Sequence, residues 1–164
     1  PVVGRIAGHA VAGGLGLAAA CDVSIAVEGA RMGFSEVRLG LAPAVISVVC
    51  LPKMRPAEAA EAFLRGTRFD AVEGARLGLV NRAVPAAELD AAVEAVVADL
   101  LLGGPQALAA TKDLLARVPT MAPADAFAWT AARSAELFTS DEGREGMAAY
   151  LAKRPPSWAP APRS

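Results

Sequence analysis

The stretch that most constrains this chain is Gly8–Asp22, GHAVAGGLGLAAACD. Before it, Val2–Ala7 is β-branched and apolar enough for a buried strand. Gly8 to Gly14 is glycine-punctuated turn chemistry. Leu15–Cys21 is small and apolar all round, which predicts a buried helix rather than an amphipathic one. Asp22–Val27, DVSIAV, reads as a second buried strand. A later segment, Gly33–Pro43, reads GFSEVRLGLAP and carries one carboxylate, Glu36. Phe34, Val37, Leu39 and Leu41 are expected to enclose it, and burial raises a carboxyl pKa toward that of a usable acid near neutrality. Chemistry on an activated carbonyl needs backbone N–H groups aimed at an oxyanion and an acid/base nearby. The two segments offer one candidate for each.

Composition narrows the partners. The chain has 164 residues, enough for one domain with a sizeable core. Its net charge is −1 and no lysine/arginine block exists, so nucleic acid is not an expected partner. No apolar run approaches the roughly 20 residues a membrane span takes, and no basic flank precedes an apolar core as in a signal peptide. Cys21 and Cys50 sit in apolar contexts and read as free buried thiols. A single histidine rules out a His-based metal site. The expected compartment is the cytoplasm. The opening PVVGRIA already reads as a core strand, which is the look of the interior of a larger chain.

Further along, Arg31–Phe34 reads as a short strand, Leu39–Pro43 as a loop, and Ala44–Leu51 as a helix begun after Pro43. Arg55-Pro56 opens a helix through Leu64, with Gly66 after its end. Asp70 is the N-cap of a short helix Ala71–Leu77, and Leu79–Val84 reads as a strand. Ala87–Leu102 has apolar residues at helical spacing. Three more helical patterns follow, at Gln106–Val118, Pro123–Leu137 and Asp141–Lys153, the last capped by Ser140 with Asp141 and Glu142 in its first turn. The tail Pro155–Ser164 is proline-rich and expected to be extended. Residues 1–101 thus alternate strands and helices, and residues 102–164 are helical.

Four segments, in order, resemble the enoyl-CoA hydratase/isomerase (crotonase) family. PVVGRIAGHAVAGGLGLAAACDVSIA is similar to the family's strand, oxyanion loop, helix and strand; ARMGFSEVRLGLAP to its second active-site segment; GTRFDAVEGARLGLVNRAVP to a common mid-chain stretch; and SDEGREGMAAYLAKRPPSW to its C-terminal signature. The look is that of bacterial enoyl-CoA or methylglutaconyl-CoA hydratase-like members. The resemblance implies an α/β fold: the C-terminal part of a crotonase-like spiral of ββα turns, then a helical region that packs trimers or dimers of trimers. It implies an acyl-CoA thioester substrate and no cofactor beyond the CoA of that substrate. It also implies that a segment outside these residues supplies half of the spiral and a second oxyanion N–H.

On that resemblance Gly13 is the catalytic backbone donor to the thioester oxygen. Glycine lets backbone approach a ligand closely, and the N-terminus of the following helix adds positive potential. Glu36 aligns with the second of two glutamates in family hydratases and is the expected acid/base. The first aligns with Gly16, so that carboxylate is absent here. Gly14, Gly16, Leu41, Pro43 and Ala44 are the expected substrate-binding positions. His9 reads as structural, Ser47 has no basic partner for nucleophile work, and Lys153 and Arg154 suit the dipole at a helix end. The expected reaction is hydration of the 2,3-double bond of an enoyl-CoA. One carboxylate would also suffice for a Δ3–Δ2 enoyl-CoA isomerase, and a non-catalytic acyl-CoA-binding module is the alternative from outside enzymology.

Overall fold

The computed structural model of the protein describes residues 1–161. In chain order the elements are β1 (Val3–Ile6), β2 (Ala10–Val11), α1 (Gly13–Ala20), β3 (Val23–Val27), β4 (Arg31–Gly33), α2 (Ala44–Cys50), α3 (Pro56–Arg65), β5 (Phe69–Asp70), α4 (Ala71–Arg76), β6 (Arg82–Val84), α5 (Leu89–Leu101), α6 (Pro105–Arg117), α7 (Pro123–Thr139) and α8 (Asp141–Leu151). Two compact units divide the chain, Val2–Val97 and the residues from Ala98 onward.

The first unit holds two three-stranded sheets, ordered β1-β3-β6 and β2-β4-β5. In the first sheet β1 and β6 both run parallel to β3. Parallel neighbours need a crossover between them, and α1 lies in the β1–β3 connection. In the second sheet β2 is parallel to β4, with Ala10 opposite Met32 and Val11 opposite Gly33, while β5 returns antiparallel. The core gathers Leu15, Met32, Phe34, Cys50 and Leu79, all fully buried. Phe34 stacks on Phe63 with ring centroids 3.9 Å apart. Asp70 caps α4 as its sequence position predicts, its carboxylate accepting from Glu73 N–H at 2.9 Å.

Several elements depart from the sequence reading. α1 starts two residues early, at Gly13, and is not buried all round: Leu15, Gly16, Ala18 and Ala19 face the core, while Leu17 is 76% exposed. Strands β2 and β5 are only two residues long and leave no alternation to read. Ser35–Leu39 winds as a 3-10 turn between the expected strand Arg31–Phe34 and the expected loop Leu39–Pro43, taking in the loop's first residue. The expected strand Leu79–Val84 shortens to β6, because the amides of Leu79 and Val80 bond back to Gly74 O and Asn81 exchanges bonds with Ser24.

The second unit is helical. Glu142 of α8 accepts from the amides of Gln106 and Ala107 at 2.9 and 2.8 Å, satisfying the first turn of α6. Ser140 caps α8 through Gly143 N–H at 2.9 Å. α8 ends at Leu151, before Lys153, whose φ of 51° is left-handed. The expected extended tail is instead folded back. Glu145 holds Arg154 at 2.7 and 2.9 Å and accepts from Ser157 N–H at 2.9 Å. Trp158 donates its indole N–H to Leu102 O at 3.1 Å. The last three residues of that tail lie outside the described residues.

Candidate active site

The second sheet brings the two candidate segments together. β2 and β4 are parallel neighbours, so their C-terminal ends point the same way, and adjacent strands sit about 5 Å apart. Past Val11 the chain enters the turn at Ala12-Gly13. Past Gly33 it enters the 3-10 turn that carries Glu36. One bond ties the two exits: Ala12 N–H donates to Gly33 O at 3.1 Å.

Ala12, which joins the two candidate segments, is a residue that sequence reasoning passed over. Its φ of 52° lies in a region that L-residues rarely adopt. Bonds on both sides hold it there, since its carbonyl also accepts from the amides of Leu15 and Gly16 at 2.9 and 3.2 Å. The N–H groups of Gly13 and Gly14 have no backbone acceptor among the described residues, as expected of a helix's first turn. A Cβ built on either glycine would meet nothing within 4 Å. Both glycines are exposed, and a groove of about 360 Å³ runs past Gly14 between His9, Ala10 and Leu17.

Glu36 is half-buried, and its Oε2 is fully buried with no hydrogen-bond partner among the described residues. Such an orphan carboxylate oxygen is costly, and an unsatisfied buried group in a folded protein calls for an explanation, of which a catalytic role is one. Its surroundings differ from the expectation. Phe34 is buried beside it in sequence, but Leu39 and Leu41 are 75% and 63% exposed and do not enclose it. The 3-10 turn and its left-handed cap at Gly40 swing both leucines outward. Glu36 also acts on Cys50: burial chiefly, with the carboxylate's charge adding and Lys53 opposing, raises that thiol to about 11.

The remaining predicted positions fall as follows. Pro43 is buried and ends the loop at the start of α2; Leu41 and Ala44 are exposed beside it. Gly16 is buried on the inner face of α1, and a Cβ there would run into Cγ2 and Cβ of Ile46 on α2. Gly16 is thus the contact point of α1 with α2, and any side chain at that position has to displace Ile46. His9 accepts Arg31 N–H on Nδ1 at 3.0 Å, a structural bond between strand ends. Ser47 donates its hydroxyl to Ala44 O at 2.6 Å, a bond within its own helix. Among the described residues no group of three His, Cys, Asp or Glu side chains could hold a metal ion, and no helix is long and apolar enough to cross a membrane.

Comparison with known proteins adds a family and a set of relatives. The profile of the family described as enoyl-CoA hydratase/isomerase matches residues 1–161. The chain is 34% identical to a Bacillus subtilis protein named "Probable enoyl-CoA hydratase", covering 96% of this chain and 62% of that one. It is 32% identical to the carnitinyl-CoA dehydratase of Salmonella typhi, again covering 96% and 62%. The crystal structure of an enoyl-CoA hydratase from Mycobacterium smegmatis superposes with a TM-score of 0.89 at 32% identity, over 96% of this chain and 62% of that one. The chain therefore spans about three-fifths of the length of the curated relatives it matches.

Proposed function

The chain belongs to the enoyl-CoA hydratase/isomerase family, and on that premise we propose that it carries the oxyanion donor and the acid/base of an enoyl-CoA hydratase. The observation that carries this reading is the orphan Oε2 of Glu36, held on a turn tied to the turn of Gly13. In the proposed reaction the thioester oxygen of a 2-enoyl-CoA lies against Gly13 N–H and a second donor from outside these residues. Negative charge grows on that oxygen as water attacks C3. Each such donor lowers the barrier by about 3–4 kcal/mol. Protonated Glu36 delivers its proton to C2, and the attacking water returns one to the carboxylate. The cycle closes on a single carboxylate with no net change in the protein.

Gly16 favours a second reading. Any side chain at that position has to displace Ile46, and Gly16 brings no second carboxylate. Moving a proton between C2 and C4 of a bound enolate needs only one, so a Δ3–Δ2 isomerase uses the same two groups. Loss of the enoyl chromophore on adding 2-enoyl-CoA to the intact protein distinguishes them. Conversion of 3-enoyl-CoA without any hydration would replace the first reading by the second. Glu36→Gln is expected to abolish turnover by either route while the far-ultraviolet circular dichroism is kept. Activity within a few-fold of the parent would remove Glu36 from the mechanism.

On this reading the partners are an acyl-CoA thioester and further copies of the chain. Exposed Phe127, Phe138, Tyr150 and Leu151 on α7 and α8 support self-association through the helical unit, as a trimer or a dimer of trimers. We place the protein in the cytoplasm, where its free cysteines stay reduced.

A further inference from the structure

Most described arginines meet a carboxylate, as Arg65 does with Glu61 and Arg76 with Glu58 and Glu73. Arg38 and Arg68 do not: no ion pair joins either to a carboxylate among the described residues. Arg38 donates from Nε and Nη2 to Arg65 O at 3.4 and 3.3 Å, long bonds that orient the guanidinium and leave its charge without a counter-ion. Both stems are seated on glycine. A Cβ on Gly66 would come within 3.3 Å of Arg38 Cγ, and a Cβ on Gly33 within 3.5 Å of Arg68 Cγ. Gly66 also holds a left-handed φ of 58°, so both its conformation and its lack of a side chain shape this wall.

Ser35 and Arg38 lie three residues apart in the 3-10 turn, which has three residues per turn, so they share one edge of it. Thr67 and Arg68 arrive from the connection between α3 and β5. Together with Leu39 and Gly66 these four line a cavity of about 550 Å³. Its lining holds two guanidinium groups and two hydroxyls, and no carboxylate.

We propose that this cavity is an anion site for a phosphoryl group, either inorganic phosphate or a phosphate monoester. Two planar forks and two hydroxyls offer more donors than the two oxygens of a carboxylate can accept. A tetrahedral phosphate dianion presents three acceptor oxygens to them and matches the two positive charges. The site is formed by the outer edge of the same turn that carries Glu36, and it stands whether the reaction is hydration or isomerisation.

Calorimetric titration of the full chain with inorganic phosphate, and separately with adenosine 3′,5′-bisphosphate, tests it. Saturable binding of one or both is expected, weakened about tenfold or more by Arg38→Gln or Arg68→Gln alone and further by both. Arg82→Gln, an exposed β6 arginine that also lacks a carboxylate partner, is expected to leave binding unchanged. All three side chains are exposed, so the variants keep the fold, checked by circular dichroism. Tighter binding of the bisphosphate identifies a nucleotide-borne phosphoryl, and equal binding identifies the free ion; both support the site. Absence of saturable binding to either probe overturns it, as does binding that the double variant leaves unchanged or that Arg82→Gln weakens equally. The hydration assay reads separately from this titration, so failure of one does not decide the other.

Discussion

At the scale of single residues, glycines at three positions do different work. Gly13 is the first residue of α1 and faces open space. Gly13→Ala therefore fits the fold and, by helix propensity, adds up to about 1 kcal/mol of stability. Its methyl group would stand beside the donor N–H, so turnover is expected to fall while the melting temperature holds or rises. A fall in both would mean that Gly13 serves packing instead. Gly16 is the opposite case. Gly16→Ala pushes into Ile46 and is expected to cost about 1–3 kcal/mol. Adding Ile46→Ala makes room for that methyl, so chemical denaturation of the double variant should show a coupling of more than about 0.5 kcal/mol. Simple additivity would mean that α1 and α2 separate rather than press together at this point. Gly40 has a left-handed φ of 73° and aims Leu39 and Leu41 away from Glu36. Nothing in the letters of GFSEVRLGLAP distinguishes that outcome from enclosure, because a 3-10 turn and a strand end place the same leucines on different sides.

At the scale of elements, the α helices were legible wherever a cap or a proline marks an end. Pro56, Asp70, Pro105, Pro123 and Ser140 each stand at or just before the start of a helix. The strands β2 and β5 were not, since two residues carry no period and exist only because β4 runs between them. The C-terminal tail was misread for a related reason. Proline content predicts extension, but the Glu145 carboxylate gathers Arg154 and Ser157, and Trp158 reaches Leu102. Chiefly the Arg154 guanidinium holds the Glu145 carboxyl at about 2, below its ordinary 4.5. A depressed carboxyl pKa contributes stability that is present above the unfolded value and lost as pH falls through the folded one. The tail should therefore stay docked at pH 5 and release between about pH 4.5 and 2. Trp158 fluorescence reads that release against the second tryptophan, Trp129. In Glu145→Gln the acid step should vanish and the tail should be loose already at neutral pH. An unchanged acid step in that variant would assign it to another carboxylate.

At the scale of the whole molecule, much apolar surface remains uncovered, including Leu17 on α1, Val45 and Val48 on α2, and Phe127 and Tyr150 in the helical unit. Exposed apolar side chains that gather on one helix face mark surfaces that another segment or another copy covers. The native mass, measured by light scattering at micromolar concentration, is expected to be a multiple of the chain mass, and Phe127→Glu with Tyr150→Glu is expected to lower it. A parent that runs as a monomer would set the oligomer aside. What the sequence determined by itself was everything carried by local order: the strand–turn–helix run at Gly8–Asp22, the single carboxylate of the Gly33–Pro43 segment, the helix caps, and the family resemblance. Only the tertiary structure decided that the turns of Gly13 and Glu36 leave neighbouring parallel strands on the same side, that Ala12 is held at positive φ between them, and that Ile46 fills the place beside Gly16. Each of these depends on which backbone group meets which across residues distant in the chain, and hydrophobic period and turn chemistry carry no information about such pairings.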